Sequence, residues 1–441
     1  MAIAATALGL LAGYLLKQQC AGNAWADDFQ YRRLCYNDIQ PLYGFRGIDE
    51  GLIPYRDVRL EYPVLTGMFM DLAGRLMRGL SELGIFGPGN TAYFHVNAVL
   101  LAPAAFAVTL ALRPFVPARR LLIWAVGTPI VLYAFHNWDL LAVAGAAWAL
   151  AAYLRRRDGW TGAALALGAS AKLYPAFILP ALLLGRWAEG RWDEGAQAAS
   201  GAPRRSAVRM LAAFAAVYAA VNLPWLVIAG GDPVVLSASA EVPLRQGGTN
   251  GWIEVWKFHA DRYPDFGTVW YWLAHHGKVL IPGIGWGPGE SGYQNFVSVF
   301  SFLAFAGGSA WLLWTGWRRR SREGGYPALQ IGLGIVALFL LVSKVHSPQY
   351  ALWVIPFLVL LKVPWKIVFS YLAADLAVYI SGFYYFTVMS QPSPAWKGIF
   401  EIAVLGRACV LGWLIWWSPR PPSPVAEAQP PVDALGRPSA A

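Results

Sequence analysis

Charge is what this sequence has least of. Only 14% of its 441 residues are Asp, Glu, Lys or Arg, while 57% are hydrophobic; a water-soluble domain carries about a quarter charged residues. The shortage excludes a chain that covers its whole surface with solvated side chains. The apolar surface must be met by lipid, and in several passes. Cysteine is scarce as well: three residues cannot build a disulfide scaffold. There is no glycine-rich phosphate loop and no Gly-X-Ser-X-Gly elbow, which argues against energy drawn from nucleotide hydrolysis. The basic connections are too short for a Rossmann-like domain that would hold a soluble nucleotide sugar.

The charge that is present is unevenly spread. Apolar segments fall near 2–16, 92–112, 121–135, 140–154, 160–171, 174–185, 207–228, 294–317, 327–343, 350–361, 366–385 and 398–417. The net charge of +10 comes in short clusters between them, the habit of cytoplasmic loops and not of a nucleic-acid surface. Arg113, Arg119 and Arg120 follow the second segment, and Arg155, Arg156 and Arg157 the fourth. Arg186, Arg191, Arg204, Arg205 and Arg209 surround the loop after the sixth. Arg318, Arg319, Arg320 and Arg322 follow the eighth, and Lys362 and Lys366 the tenth. Every basic short loop thus follows an even-numbered segment. The positive-inside rule then predicts an all-α polytopic membrane protein of twelve membrane segments with both termini cytoplasmic.

The stretch 64–83 is helical in period but contains Asp71, Arg75 and Arg78, and reads as an amphipathic helix in the interface. The first segment has no preceding basic residue. It is expected to remain as a span, although Ala24-Trp25-Ala26 imitates a signal-peptidase site. Segments three to six are short for a bilayer about 30 Å thick and are expected to be broken, re-entrant or set in a thinned membrane. Residues 1–417 read as one transmembrane domain. The Pro- and Ala-rich stretch 418–441 reads as a disordered cytoplasmic tail.

On this topology loops 17–91 and 229–293 face outward, with the joints at 136–139, 172–173 and 344–349 and loop 386–397. They hold the unusual polar residues. Cys20 and Cys35 share the first loop, in an oxidising compartment, and a disulfide bracing that loop is expected. Asp38 is either a solvated carboxylate or helix cap, or a general base at the membrane surface. In His136-Asn137-Trp138-Asp139 the acid suits a helix cap, while Asn137 and Asp139 also suit hydrogen bonds to sugar hydroxyls. Trp138 suits either the interfacial belt or stacking on a sugar. Lys172, in Lys172-Leu173-Tyr174-Pro175, either snorkels or meets a phosphate. Lys344-Val345-His346-Ser347-Pro348-Gln349-Tyr350 packs a cation, an imidazole and a helix breaker between two uncharged runs, where unpaired charge is costly. Lys344 and His346 would suit an anionic lipid headgroup. Arg245, Asn250, Trp252, Glu254, Trp256, Lys257, Trp270 and Trp272 in the long loop suit carbohydrate or membrane contact. His275-His276 has no accompanying ligand spacing, and no metal site or cofactor is predicted.

Taken in order, Cys35-Tyr36-Asn37-Asp38, Pro54-Tyr55, Glu61-Tyr62-Pro63, Asn137-Trp138-Asp139, Lys172-Leu173-Tyr174-Pro175 and Ser343-Lys344-Val345-His346-Ser347-Pro348-Gln349-Tyr350 resemble glycosyltransferase family 87 of the GT-C superfamily. That family is typified by actinobacterial polyprenyl-phosphate-mannose-dependent mannosyltransferases. The resemblance runs from about residue 15 to about 415. It implies a GT-C bundle in the plasma membrane that moves a sugar, mannose being the best-known cargo, from a polyprenyl-phosphate donor to an envelope glycolipid or glycan. It implies Asp38 as catalytic base, and a single displacement there would invert the anomeric centre. Lys172, Lys344 and His346 would then hold the donor phosphate, and Tyr55, Glu61, Asn137, Asp139, Gln349 and Tyr350 would bind substrate. His346 stands where the family usually has an apolar residue. The competing readings are a lipid or sugar transporter (flippase) and a non-enzymatic scaffold for envelope assembly.

Overall fold

The computed structural model describes residues 1–22, 25–189, 202–229, 251–280, 289–323, 325–387 and 394–420. Arg191, Arg245, Asn250 and residues 421–441 of the expected tail lie outside these. Among the described residues the chain is helical, without a named strand. The first helices are α1 (Ala2–Gln18), α2 (Phe29–Arg32), α3 (Ile39–Phe45), α4 (Val64–Glu82), α5 (Asn90–Leu112) and α6 (Ala118–Ala125). Then come α7 (Thr128–Tyr133), α8 (Asp139–Leu154), α9 (Asp158–Ala171), α10 (Tyr174–Glu189), α11 (Ala202–Ile228) and α12 (Gly251–Asp261). The series ends with α13 (Val269–Leu280), α14 (Ser291–Glu323), α15 (Ala328–Val342), α16 (Ala351–Leu360), α17 (Trp365–Phe386) and α18 (Pro394–Trp417).

Each of the twelve apolar segments coincides with helix, and the third is divided into α6 and α7. The break has a local cause. A side chain at Gly127 would lie 2.1 Å from the Ile123 carbonyl, and Pro129 has no N–H to continue the ladder. Among the described residues five helices are long and apolar enough to cross a bilayer: Asn90–Phe115, Arg204–Ile228, Ser291–Arg319, Trp365–Phe386 and Ala395–Trp417. The rest of the twelve are shorter. Small residues let several of the helices approach closely, because lipid offers no competing hydrophobic gain and packing decides. A side chain at Gly145 on α8 would meet Gly168 of α9 at 2.7 Å, and one at Gly162 of α9 would meet the Met210 carbonyl of α11 at 2.0 Å.

The stretch 64–83 is helix α4, with Val64, Met70, Ala73 and Met77 buried and Met68, Leu72 and Leu76 exposed. Apolar exposure beside the Asp71–Arg75 pair at 2.8 Å fits a helix lying along an interface. Thr66 of α4 donates its hydroxyl to the Ala171 carbonyl at 2.8 Å, tying α4 to the end of α9. Ser418, expected as the first residue of the tail, is instead fully buried and donates to the Ile415 carbonyl at the end of α18.

The connections α1–α5, α7–α8, α9–α10 and α15–α16 meet the stretch 251–280 at one end of the bundle. Asp38 N–H donates to the His136 carbonyl at 2.7 Å, and Asp265 N–H to the Lys344 carbonyl at 2.8 Å. His259 meets the Glu61 carbonyl at 2.9 Å. At the other end Arg120 donates to the carbonyls of Leu358, Leu361 and Val363, closing the carboxyl end of α16.

Candidate active site

The site is assembled around Asp38, which sits at the start of α3. Its side chain makes no capping hydrogen bond. Asn37 does that work: its Oδ1 accepts the Gln40 N–H at 3.0 Å, and its amide donates to Gln40 Oε1 at 2.8 Å. The Asp38 carboxylate is therefore available for other partners. Oδ1 accepts from the Tyr36 hydroxyl at 2.9 Å, and Oδ2 from Asn137 Nδ2 at 2.6 Å. Burial raises its pKa above the usual carboxylate value, while the hydrogen bonds from Asn137 and Tyr36 and the Lys172 charge pull it down. Cys20 and Cys35, joined as a disulfide with Cα atoms 5.6 Å apart, tie the end of α1 to this segment.

Asn137 is the hinge of the arrangement. Besides Asp38, its amide donates to the Tyr62 hydroxyl at 2.8 Å, and its Oδ1 accepts the Trp138 N–H at 2.6 Å. Lys172 Nζ lies 4.6 Å from the Tyr62 ring centre and 5.5 Å from that of Tyr350, within cation–π range. It is 3.5 Å from Asp139 Oδ2, and its other N–H groups have no acceptor among the described residues. Burial alone would lower the Lys172 pKa, but Asp139, Tyr350 and Asp38 outweigh it and leave it raised. Asp139, wholly buried in the first turn of α8, also accepts from Trp353 Nε1 at 2.7 Å. Its position is that of a helix-dipole acid, not of a side-chain cap.

Two cavities flank the chain Asp38–Asn137–Tyr62. One, of about 230 Å³, is lined by Asp38, Tyr36, His136, Arg262, Asp265, His346 and Gln349, with an aromatic wall from Tyr379, Phe383 and Phe386. The other, of about 270 Å³, is lined by Lys172, Tyr62, Glu61, Lys344, His259, Tyr350, Trp256 and Trp353. Lys172 and Lys344 are brought together, and His346 is on the opposite side. Burial holds the His346 imidazole well below its usual pKa, so at neutral pH it is uncharged. Its Nδ1 meets the Leu340 carbonyl at 3.0 Å, and its Nε2 is buried without a partner among the described residues. Lys344 spends two of its three donors on the Ala260 carbonyl at 2.6 Å and Ser298 Oγ at 2.8 Å.

The remaining expected residues divide. Gln349 faces the Asp38 cavity, while Tyr350 and Glu61 face that of Lys172; Glu61 is held by Arg46 at 2.8 Å. Tyr55 lines neither. It is buried, its hydroxyl donates to the Tyr62 and Pro63 carbonyls at 2.9 and 2.8 Å, and it supports the Glu61–Pro63 turn from behind. Trp138 takes neither of its expected places: it is fully buried and donates to Asn97 Oδ1 at 2.7 Å. Trp270 and Trp272 also pack inside, their indoles donating to the Val342 and Phe266 carbonyls.

Three features escape a reading of the sequence. Lys17, at the end of the first apolar run, is fully buried against the Asp38 cavity. Its ammonium meets the Tyr36 carbonyl at 2.6 Å, the Tyr379 hydroxyl at 2.8 Å and His136 Nδ1 at 3.2 Å. Arg262 and Asp265 enter that cavity from the loop after α12. Asp375 of α17 and Arg407 of α18 form a buried pair at 3.7 Å; Tyr133 completes it from α7, and Arg407 also donates to the Gly267 carbonyl. Charges inside apolar runs were the available signal for the last pair.

These helices and this site define an all-helical membrane protein with a polar, two-chambered site at one end of its bundle. No family model matches the chain, and no curated protein matches it. Among solved structures it is similar to the apo oligosaccharyltransferase of Archaeoglobus fulgidus, at 12% identity and a TM-score of 0.41, over 96% of this chain and 56% of that one. The chain thus spans little more than half the length of that structure.

Proposed function

We propose that the protein is a membrane glycosyltransferase of the GT-C type, moving a sugar, mannose by its family resemblance, from a polyprenyl-phosphate donor to an envelope glycolipid or glycan. The observation that carries this reading is the hydrogen-bonded chain Asp38–Asn137–Tyr62, with a carboxylate open to one cavity and a cation set over Tyr62 in the other. A base and a leaving-group clamp are then held at a fixed separation by one amide. The end of the bundle that gathers these residues is assigned to the outer face of the plasma membrane, with the termini cytoplasmic and residues 1–417 acting as one catalytic domain.

In the reaction, Asp38 accepts the proton of an acceptor hydroxyl as its oxygen attacks the anomeric carbon. The bond from that carbon to the phosphate oxygen breaks, and the phosphate leaves with the electron pair. Lys172, whose remaining N–H groups have no protein acceptor among the described residues, stabilises the developing charge, with one donor from Lys344. His346, neutral and on the acceptor side, serves as a hydrogen-bond partner and not as a cation. A single displacement inverts the anomeric centre.

The test is purified full-length protein supplied with radiolabelled polyprenyl-phosphate-mannose and a pool of envelope lipids. Label appearing in a new glycolipid, and lost with Asp38→Asn, is the expected result. Label that only crosses the bilayer of proteoliposomes would replace this reading with a transporter.

A further inference from the structure

A third and larger pocket lies on the other side of α3 from the reacting groups. It is an open hollow of about 670 Å³, within the range of small-molecule sites. Its aromatic surfaces come from Trp25, Tyr43 and Phe45, and its polar ones from Gln40, Asp49 and Asn90. The frame is fixed. Tyr43 is stacked on Tyr93 at 4.5 Å between ring centres. Gln40 is held by Asn37 and by the Cys20 carbonyl, and Trp25 donates to that same carbonyl at 3.2 Å. Phe45 is 39% exposed and Asn90 is exposed, so both can meet a ligand without rearrangement.

The lining selects against the ligands most common at a membrane surface. No Lys or Arg is among its lining residues, and Asp49 places a carboxylate there; Arg78, the cation that acts on Asp49 and Tyr43, sits behind them and donates to the Ile48 carbonyl, so an anionic phospholipid headgroup would meet the carboxylate first. The nearby Arg46 is already committed to Glu61 at 2.8 Å. Aromatic faces beside a carboxylate and the exposed Asn90 amide instead suit a ligand with apolar C–H faces and many hydroxyls. That description is an uncharged sugar.

The pocket is also one aromatic pair away from the proposed base. Trp25 lines it, Tyr36 lines the Asp38 cavity, and the two rings are 5.4 Å apart. We propose that this pocket is a subsite for the neutral sugar residues of an oligosaccharide acceptor, beyond the residue that reacts at Asp38. The proposal rests on the transferase reading for its role and makes the acceptor a glycan of several residues.

Its test is binding, measured without donor. Full-length protein in nanodiscs is titrated with neutral manno-, gluco- and galacto-tetraoses by saturation-transfer NMR. At least one tetraose is expected to bind, with Phe45→Ala and Asp49→Asn each weakening it ten-fold or more and Arg75→Gln, exposed on α4 and outside the pocket lining, changing it less than two-fold. Binding of no tetraose, or binding untouched by both pocket substitutions, overturns the subsite. Because no sugar is transferred here, the two ideas fail separately. A failed transferase reading leaves binding without transfer, and a failed subsite leaves Asp38-dependent transfer without binding.

Discussion

The two chambers beside Asn137 differ in how their charges are held. In the Asp38 chamber the carboxylate has two donors, with a neutral imidazole, Arg262 and Asp265 sharing the lining. In the Lys172 chamber the ammonium lies within cation–π range of two aromatic rings, with the Asp139 carboxylate at 3.5 Å. One chamber offers an acceptor of protons, the other an acceptor of negative charge. The difference teaches that proximity in sequence is a poor guide to shared duty. Lys344 and His346 are two residues apart yet serve opposite chambers, whereas Lys172 and Lys344, far apart in the chain, share one.

The sharpest way to break this division is to remove the proposed base. Asp38→Asn is expected to lower transfer by about 10³-fold, with the protein still inserted and monodisperse on gel filtration. Substantial remaining turnover would dismiss Asp38. Next is the clamp. Lys172→Met is expected to cost on the order of 10²-fold in kcat/KM for the lipid-linked donor, and Lys344→Met, most of whose donors serve the protein, only a few-fold. Equal losses would mean that the two lysines act as one clamp.

A smaller effect probes the hinge. As the proposed base, Asp38 must be ionised to act, and burial has raised its pKa, so activity should rise with pH along a limb above the ordinary carboxylate range. Asn137 is the first of the groups pulling that pKa down. Asn137→Ala should therefore move the acid limb further up in pH and reduce the plateau about ten-fold; an unmoved limb would separate Asn137 from the base. Smallest is Tyr55→Phe. It lines neither chamber and is expected to leave kcat within two-fold while costing about 1 kcal/mol of stability, read by thermal unfolding in detergent.

Much of this was legible before any fold. Hydropathy and the alternation of arginines located the twelve helical segments, and the charges within 64–83 marked α4 as amphipathic. Asp38, Asn137 and Lys172 stood out as polar residues at helix junctions. Their pairing did not, because Asn137 reaches Asp38 across 99 positions and only packing of α7 and α8 against the first loop brings them together. Lys17 was hidden for the opposite reason. A single cation ending an apolar run reads as a snorkelling side chain, and its burial depends on Tyr36, His136 and Tyr379 closing over it from three other regions. Tyr55 and Trp138 look like ligand-binding aromatics in any list of motifs; only their filled hydrogen bonds reveal them as supports.

The division of labour between Asn37 and Asp38 has a practical consequence. Had the carboxylate capped α3, replacing it would have frayed the helix and blurred every measurement made on the variant. With Asn37 holding Gln40, Asp38→Asn changes the chemistry and spares the scaffold. If the proposed transferase reading holds, the variant is thus suited to being loaded with donor and acceptor together and frozen for imaging, a slowed complex in which both partners wait.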